Sequence, residues 1–155
     1  MKKSAGILAF RRSRGELEVL LAHPGGPYWA KKDLGAWMIP KGEFTDEEPL
    51  AAARREFEEE IGQPIEGTFM ALPVIRHRSG KQVHAFAIEA DLDVTNIKSN
   101  LVEIEWPPKS GRKRSFPEID RAEWFDLGEA RQRILPSEAP LIDELVSLLK
   151  RGVQG

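Results

Sequence analysis

The chain has 155 residues, 41% of them apolar, enough for one packed domain and too apolar for a disordered chain. Lys and Arg total 23 and Asp and Glu 25, a net charge of −2, which argues against a protein held to nucleic acid by overall positive charge. There is no cysteine, so disulfides, Cys-ligated metals and a thiol nucleophile are excluded.

Met1-Lys2-Lys3 precedes a short apolar run that ends at Phe10, followed by Arg11 and Arg12. The run is too short for a secretory signal, and no run approaches the ~20 apolar residues that span a bilayer. A soluble cytoplasmic protein is the expectation. Residues 5–10 and 17–22 are apolar runs around Arg-Ser-Arg-Gly-Glu and predict a hairpin. Residues 23–35, rich in Gly, Pro, Lys and aromatics, predict a long loop, and loops of that length are usually functional. Residues 37–39 predict a short strand ended by Pro40-Lys41-Gly42. Residues 49–61 predict a helix: Pro49 suits its first turn, Gly62 its stop, and Pro64 lies just beyond. Strands are expected at 67–72, 83–90, 102–106 and 122–125. Residues 107–117, with Lys109, Arg112, Lys113 and Arg114, predict a loop. Helices are expected at 128–134 and 140–150, the second with an apolar stripe of Leu141, Leu145, Leu148 and Leu149. Strands interspersed with helices suggest an α/β or α+β layered fold in a single domain over 1–155.

The helix at 49–61 carries the chemistry. At about 100° per residue, Leu50, Ala53, Phe57 and Ile61 form one stripe that must face the core. Glu56 and Glu60 project together one turn apart, with Glu59 on their flank, while Glu58 lies on the other side near Arg54. Three convergent carboxylates repel one another and call for a compensating cation. Oxygen-only ligands favour Mg²⁺, with Mn²⁺ as substitute, or Ca²⁺. Arg55, one turn before Glu59, can orient it. Taken alone, the same pattern also fits a solvated acidic face with two incidental Arg–Glu pairs, Arg54–Glu58 and Arg55–Glu59.

The segment from Gly42 to Gly62 resembles the Nudix box. Arg55, Glu56, Phe57, Glu59, Glu60 and Gly62 match its second half position for position, Gly42 matches its first Gly, and Glu47 matches its early Glu by spacing to Arg55. The interval from Gly42 to Glu47 is one residue shorter than usual, and Gln63 stands where an apolar residue is usual. Beyond the box at 42–63, a bacterial branch of predicted Nudix-type nucleoside triphosphate pyrophosphohydrolases is similar at several segments. These are Ser4-Ala5-Gly6-Ile7-Leu8, His23-Pro24-Gly25-Gly26-Pro27, residues 37–43, Glu105-Trp106-Pro107-Pro108, Phe116-Pro117-Glu118 and Trp124-Phe125.

The resemblance implies an α+β fold, an α/β/α sandwich whose mixed β-sheet lies between helices, with the box as a loop–helix–loop. It also implies a Mg²⁺-dependent hydrolase, with Mn²⁺ as substitute, in which water attacks phosphorus in the diphosphate bridge of a nucleoside diphosphate linked to another group. Nucleoside triphosphates, sugar nucleotides and dinucleoside polyphosphates are candidate substrates. Glu56, Glu59 and Glu60 are then metal ligands, Arg55 orients them with Glu47 as partner, and Glu59, Glu118 or Glu105 is the base. Lys41 and Gly42 at the box, Tyr28 and Trp29 in the first loop, and Arg112 in the basic segment are the candidate substrate contacts. Two other functions fit the same residues: a catalytically silent nucleotide-binding regulatory module, and a hydrolase of RNA 5′ ends. A monomer and a homodimer are both open.

Overall fold

The computed structural model describes residues 2–154 and holds a mixed sheet with helices on both faces, an α+β arrangement. Strand β1 (Lys3–Ser13) and strand β2 (Glu16–Pro24) form the predicted hairpin, paired from Phe10↔Val19 to Ser13↔Glu16. Beyond that pairing the two strands diverge. The wedge between them is filled by residues 37–44: Met38 bridges Ala22, Pro40 accepts from the Ile7 amide, and β3 (Lys41–Phe44) pairs with the start of β1. The expected strand at 37–39 is therefore a pair of isolated bridges, Trp37 to Ile134 and Met38 to Ala22. Its backbone serves three neighbours rather than one ladder.

Helix α1 (Pro49–Ile61) follows with the predicted bounds. Gly62 ends it with φ 84°, a left-handed conformation that glycine adopts without cost, and its N–H returns to the Glu58 carbonyl. The expected strand at 67–72 shrinks to β4 (Met70–Ala71), and β5 (Ile75–Arg76) follows; both lie against β6 (Gln82–Glu89). Strand β6 runs parallel to β1 from Lys3↔Gln82 to Phe10↔Glu89. Strand β7 (Leu101–Glu105) pairs with β8 (Lys113–Pro117), which corrects the expected loop at 107–117. Four of β8's five residues are polar or proline, so it carries no apolar alternation; its partner creates it. Strand β9 (Ile119–Asp126) joins the far edge of β2, and α2 (Leu127–Arg133) and α3 (Ala139–Gln154) close the chain.

The sheet is buried on both faces, which explains why β1 and β2 read as continuous apolar runs rather than alternating ones. Leu8, Phe10, Val19 and Leu21 pack toward α3 with Leu141, Ile142 and Leu145. Ala5, Ile7, Ala9 and Leu20 pack toward α1 with Ala53, Phe57 and Ile61. Of the predicted stripe on α1, Leu50 is only half-buried, while Ala52, Glu56 and Glu60 are buried. Two carboxylates thus lie at the edge of the apolar core.

Candidate active site

Two backbone arrangements bring this site together. The divergence of β1 and β2 delivers Lys41 and Gly42 to the face of α1. A Cβ at Gly42 would occupy the space of the Glu56 carboxylate, so only glycine lets that side chain lie against the β3 backbone. At the other end of α1, the Glu59 carbonyl accepts from the Asn100 amide, and the Asn100 carbonyl accepts from the Glu118 amide. This relay of two hydrogen bonds sets Glu118 beside the helix.

Glu60 is 1% exposed. It accepts a hydrogen bond from the Lys41 backbone N–H, while its Oε2 is buried with no hydrogen-bond partner. Burial pushes its carboxyl up to about 9, and the charges of Glu118 and Glu56 add to that rise against the Lys41 ammonium. Burial also raises Glu56; Arg55 opposes the rise, and Glu59 and Glu118 reinforce it. Glu56, Glu60 and Glu118 therefore share one electrostatic environment, with Glu59 at its margin. Glu58 points into solvent, as the helical wheel predicts.

Arg55 holds the outer side. Its guanidinium donates to both Glu47 oxygens, at 3.1 and 2.9 Å from Nε and 2.6 Å from Nη2, and through Nη1 to Glu56 at 2.8 Å and Glu59 at 3.2 Å. The Glu47 bond holds that carboxyl below its usual range and raises Arg55. The expected Arg55–Glu59 pair is present, whereas Arg54 turns to Glu66 at 3.7 Å rather than to Glu58. Among the described residues, no three Asp, Glu or His side chains stand together at metal-coordinating distance.

The donor set nonetheless fits a hard cation. A buried carboxylate oxygen without a partner and mutually repelling neighbours at one helix face are what a divalent ion would relieve. Glu56 and Glu60 lie buried on that face, and Glu59 at its margin is bonded to Arg55.

The Lys41 ammonium is 2.8 Å from Glu138 Oε2 and 3.6 Å from the Met38 sulfur. Glu138 is 1% exposed, and its Oε1 accepts from the Ile39 amide at 3.0 Å. Lys41 is thereby committed to an internal carboxylate, while its backbone N–H serves Glu60. Sequence reasoning missed Glu138. It lies in Pro-Ser-Glu-Ala-Pro, which reads as a polar turn, and no spacing ties it to a lysine 97 residues earlier. Removing one member of a buried pair leaves the other charge uncompensated. Glu138→Ala is expected to destabilise the fold by about 3–5 kcal/mol in urea unfolding. A loss under about 1 kcal/mol would mark the pair as energetically idle.

The other expected substrate contacts separate. Tyr28 is 52% exposed and meets the edge of Trp106 at 5.5 Å, a pairing between the first loop and the β7–β8 hairpin. Trp29 packs against the core cluster on the α3 face, with the Lys32 ammonium over its ring at 4.9 Å. Arg112 is exposed just before β8. Glu105 ends β7, paired with Lys113 in register.

The model of the NUDIX domain family matches residues 1–145. No curated protein matches the chain. Solved structures share the fold. The NUDIX domain of Shewanella oneidensis NrtR, complexed with ADP ribose, has TM-score 0.67 at 16% identity over 95% of this chain and 87% of that one. A C. elegans Ap4A hydrolase has TM-score 0.63 at 18% identity over 97% and 98%. The E. coli ORF135 protein has TM-score 0.56 at 24% identity over 96% and 91%. With the family model spanning the fold and the carboxylate helix at its centre, this chain belongs to the Nudix family.

Proposed function

We propose that the protein hydrolyses a phosphoanhydride bond in a nucleoside diphosphate linked to a second group, using Mg²⁺ or Mn²⁺. The observation that carries this reading is the partnerless buried Oε2 of Glu60, next to Glu56 and within the field of Glu118. Glu56, Glu59 and Glu60 would hold the metal. When bound, such an ion neutralises bridging oxygens of the diphosphate and eases deprotonation of water. Arg55, itself tied to Glu47, orients Glu56 and Glu59. Glu118 is the proton acceptor best supported: its backbone is bonded to Asn100, and its charge is felt by both inner carboxylates. Gly42 leaves room for the Glu56 carboxylate, and Lys41 holds Glu60 through its N–H.

The relatives that bind ADP ribose or hydrolyse Ap4A support a small nucleotide substrate over an RNA end. The test is a panel of ADP-ribose, a sugar nucleotide, diadenosine tetraphosphate, nucleoside triphosphates and 5′-triphosphorylated RNA, with Mg²⁺ or Mn²⁺ and chromatography of products. Turnover of RNA alone would overturn the substrate class. Turnover of none, with nucleotide binding retained, would favour the silent module.

Tyr28, exposed beside Trp106, is the aromatic offered to the non-reacting part of the substrate. Tyr28→Ala is expected to raise KM about tenfold with kcat changed less, as for lost uniform binding. Trp29→Ala, which removes core packing, is expected to lower the melting temperature instead. The reverse pattern in steady-state kinetics and thermal melts would assign recognition to Trp29.

A further inference from the structure

His23 lies at the end of β2 and is 0% exposed. A buried imidazole usually satisfies one nitrogen as donor and the other as acceptor. Here both nitrogens face acceptors. Nδ1 is 2.9 Å from Asp120 Oδ1, and Nε2 is 2.6 Å from the Lys32 carbonyl oxygen. The ring therefore bridges the Asp120 carboxyl group and the Lys32 carbonyl. The ring is fixed edge-on against Trp37 at 5.1 Å.

The two acceptors belong to two different segments, the 26–35 loop and β9. Lys32 lies in the 26–35 loop that carries Tyr28. Asp120 is two residues beyond Glu118, whose carbonyl accepts from the Gly25 amide at 2.8 Å. The far end of the loop has its own anchors: Asp33 accepts from Trp37 Nε1 at 2.8 Å and pairs with Arg133, and the Gly35 amide donates to Gln132. Next to these anchors, the Lys32 carbonyl is the atom through which His23, a side chain from the sheet, holds the loop.

We propose that His23 is a positioning residue, a clamp that holds the recognition loop in register with the Glu118 segment. The inference rests on the functional reading above. The clamp touches no reacting atom. It presets the distance between the loop that meets the non-reacting group and the segment that bears the base, and a preset geometry spares the ordering that binding would otherwise require. His23→Gln keeps one donor but turns its oxygen or nitrogen wrongly toward one partner. Asp120→Asn keeps the shape and removes the carboxylate.

The test uses the full chain as wild type, His23→Gln and Asp120→Asn. Amide hydrogen exchange at Lys32 through Ala36 is expected to speed up by about tenfold or more in both variants, with the core amides of β1 unchanged. With ADP-ribose and Mg²⁺, KM is expected to rise about 10- to 100-fold, the range of one charge-assisted hydrogen bond, and kcat to change less than about threefold. Unchanged loop exchange overturns the clamp. If His23→Gln fails to fold, Asp120→Asn decides by the same readouts. A wild type inactive on ADP-ribose and the rest of the panel refutes the functional reading instead, and the exchange data still decide whether His23 holds the loop.

Discussion

Mn²⁺ is expected to raise the melting temperature of the wild-type protein and to do so far less in Glu56→Gln/Glu60→Gln. In the metal-free protein, Glu60 is buried with an oxygen that no donor reaches, and Glu56 and Glu118 act on it with like charge. A cation that binds only the folded chain stabilises it by an amount that grows with the logarithm of its concentration, about 2.7 kcal/mol at 100 times the dissociation constant. For a domain of this size that is about 5–10 °C. Mg²⁺ completes its shell with substrate phosphates, so Mn²⁺ is the more sensitive probe. Thermal melts across a metal titration at fixed ionic strength measure the effect. Equal shifts in both proteins would put the cation elsewhere and overturn the reading of α1.

The same group sets a pH trend in the metal-free protein. Glu60 is pushed up to about 9 in the fold, chiefly by burial, against 4.5 for an unperturbed glutamate. Between those values the folded chain holds the proton that the unfolded chain has released. The stability from this group is therefore fully present below its unfolded pKa and is lost as pH rises through the folded one. Metal binding displaces that proton, so the Mn²⁺ shift should be larger at higher pH.

Glu60→Gln and Glu59→Gln are each expected to lower turnover at least ~100-fold, the scale seen when a metal ligand or its orienting partner is lost. Glutamine keeps the acceptor for the Lys41 amide, so Glu60→Gln should retain the fold; it removes the charge that a cation needs. Glu58→Gln is expected to be nearly silent, because Glu58 lies in solvent on the opposite side of the helix. Metal affinity measured alongside kcat separates lost ligation from lost orientation. Comparable losses at Glu58 and Glu60 would remove the geometric basis of the site.

Helix α1 and the carboxylates it presents were legible in the residues themselves. Period, proline and glycine positions give its bounds, and a fixed rotation per residue separates Glu58 from Glu56 and Glu60. The β1–β2 hairpin was legible for the same reason: strand runs and turn residues act within a few positions of one another. What the chain alone left open depends on contacts between distant segments. Strand β8 exists because β7 pairs with it, and the 37–44 segment leaves strand geometry because β1 and β2 diverge around it. Lys41, read as a candidate phosphate contact, meets Glu138 at the far end of the chain. The aromatic pair Tyr28 and Trp29, equivalent in sequence, divides into one exposed ring and one packed against the core. The burial that raises Glu60 is likewise tertiary: helical period brings Glu56 and Glu60 to one face, but only the close approach of Lys41 and Gly42 removes water from it.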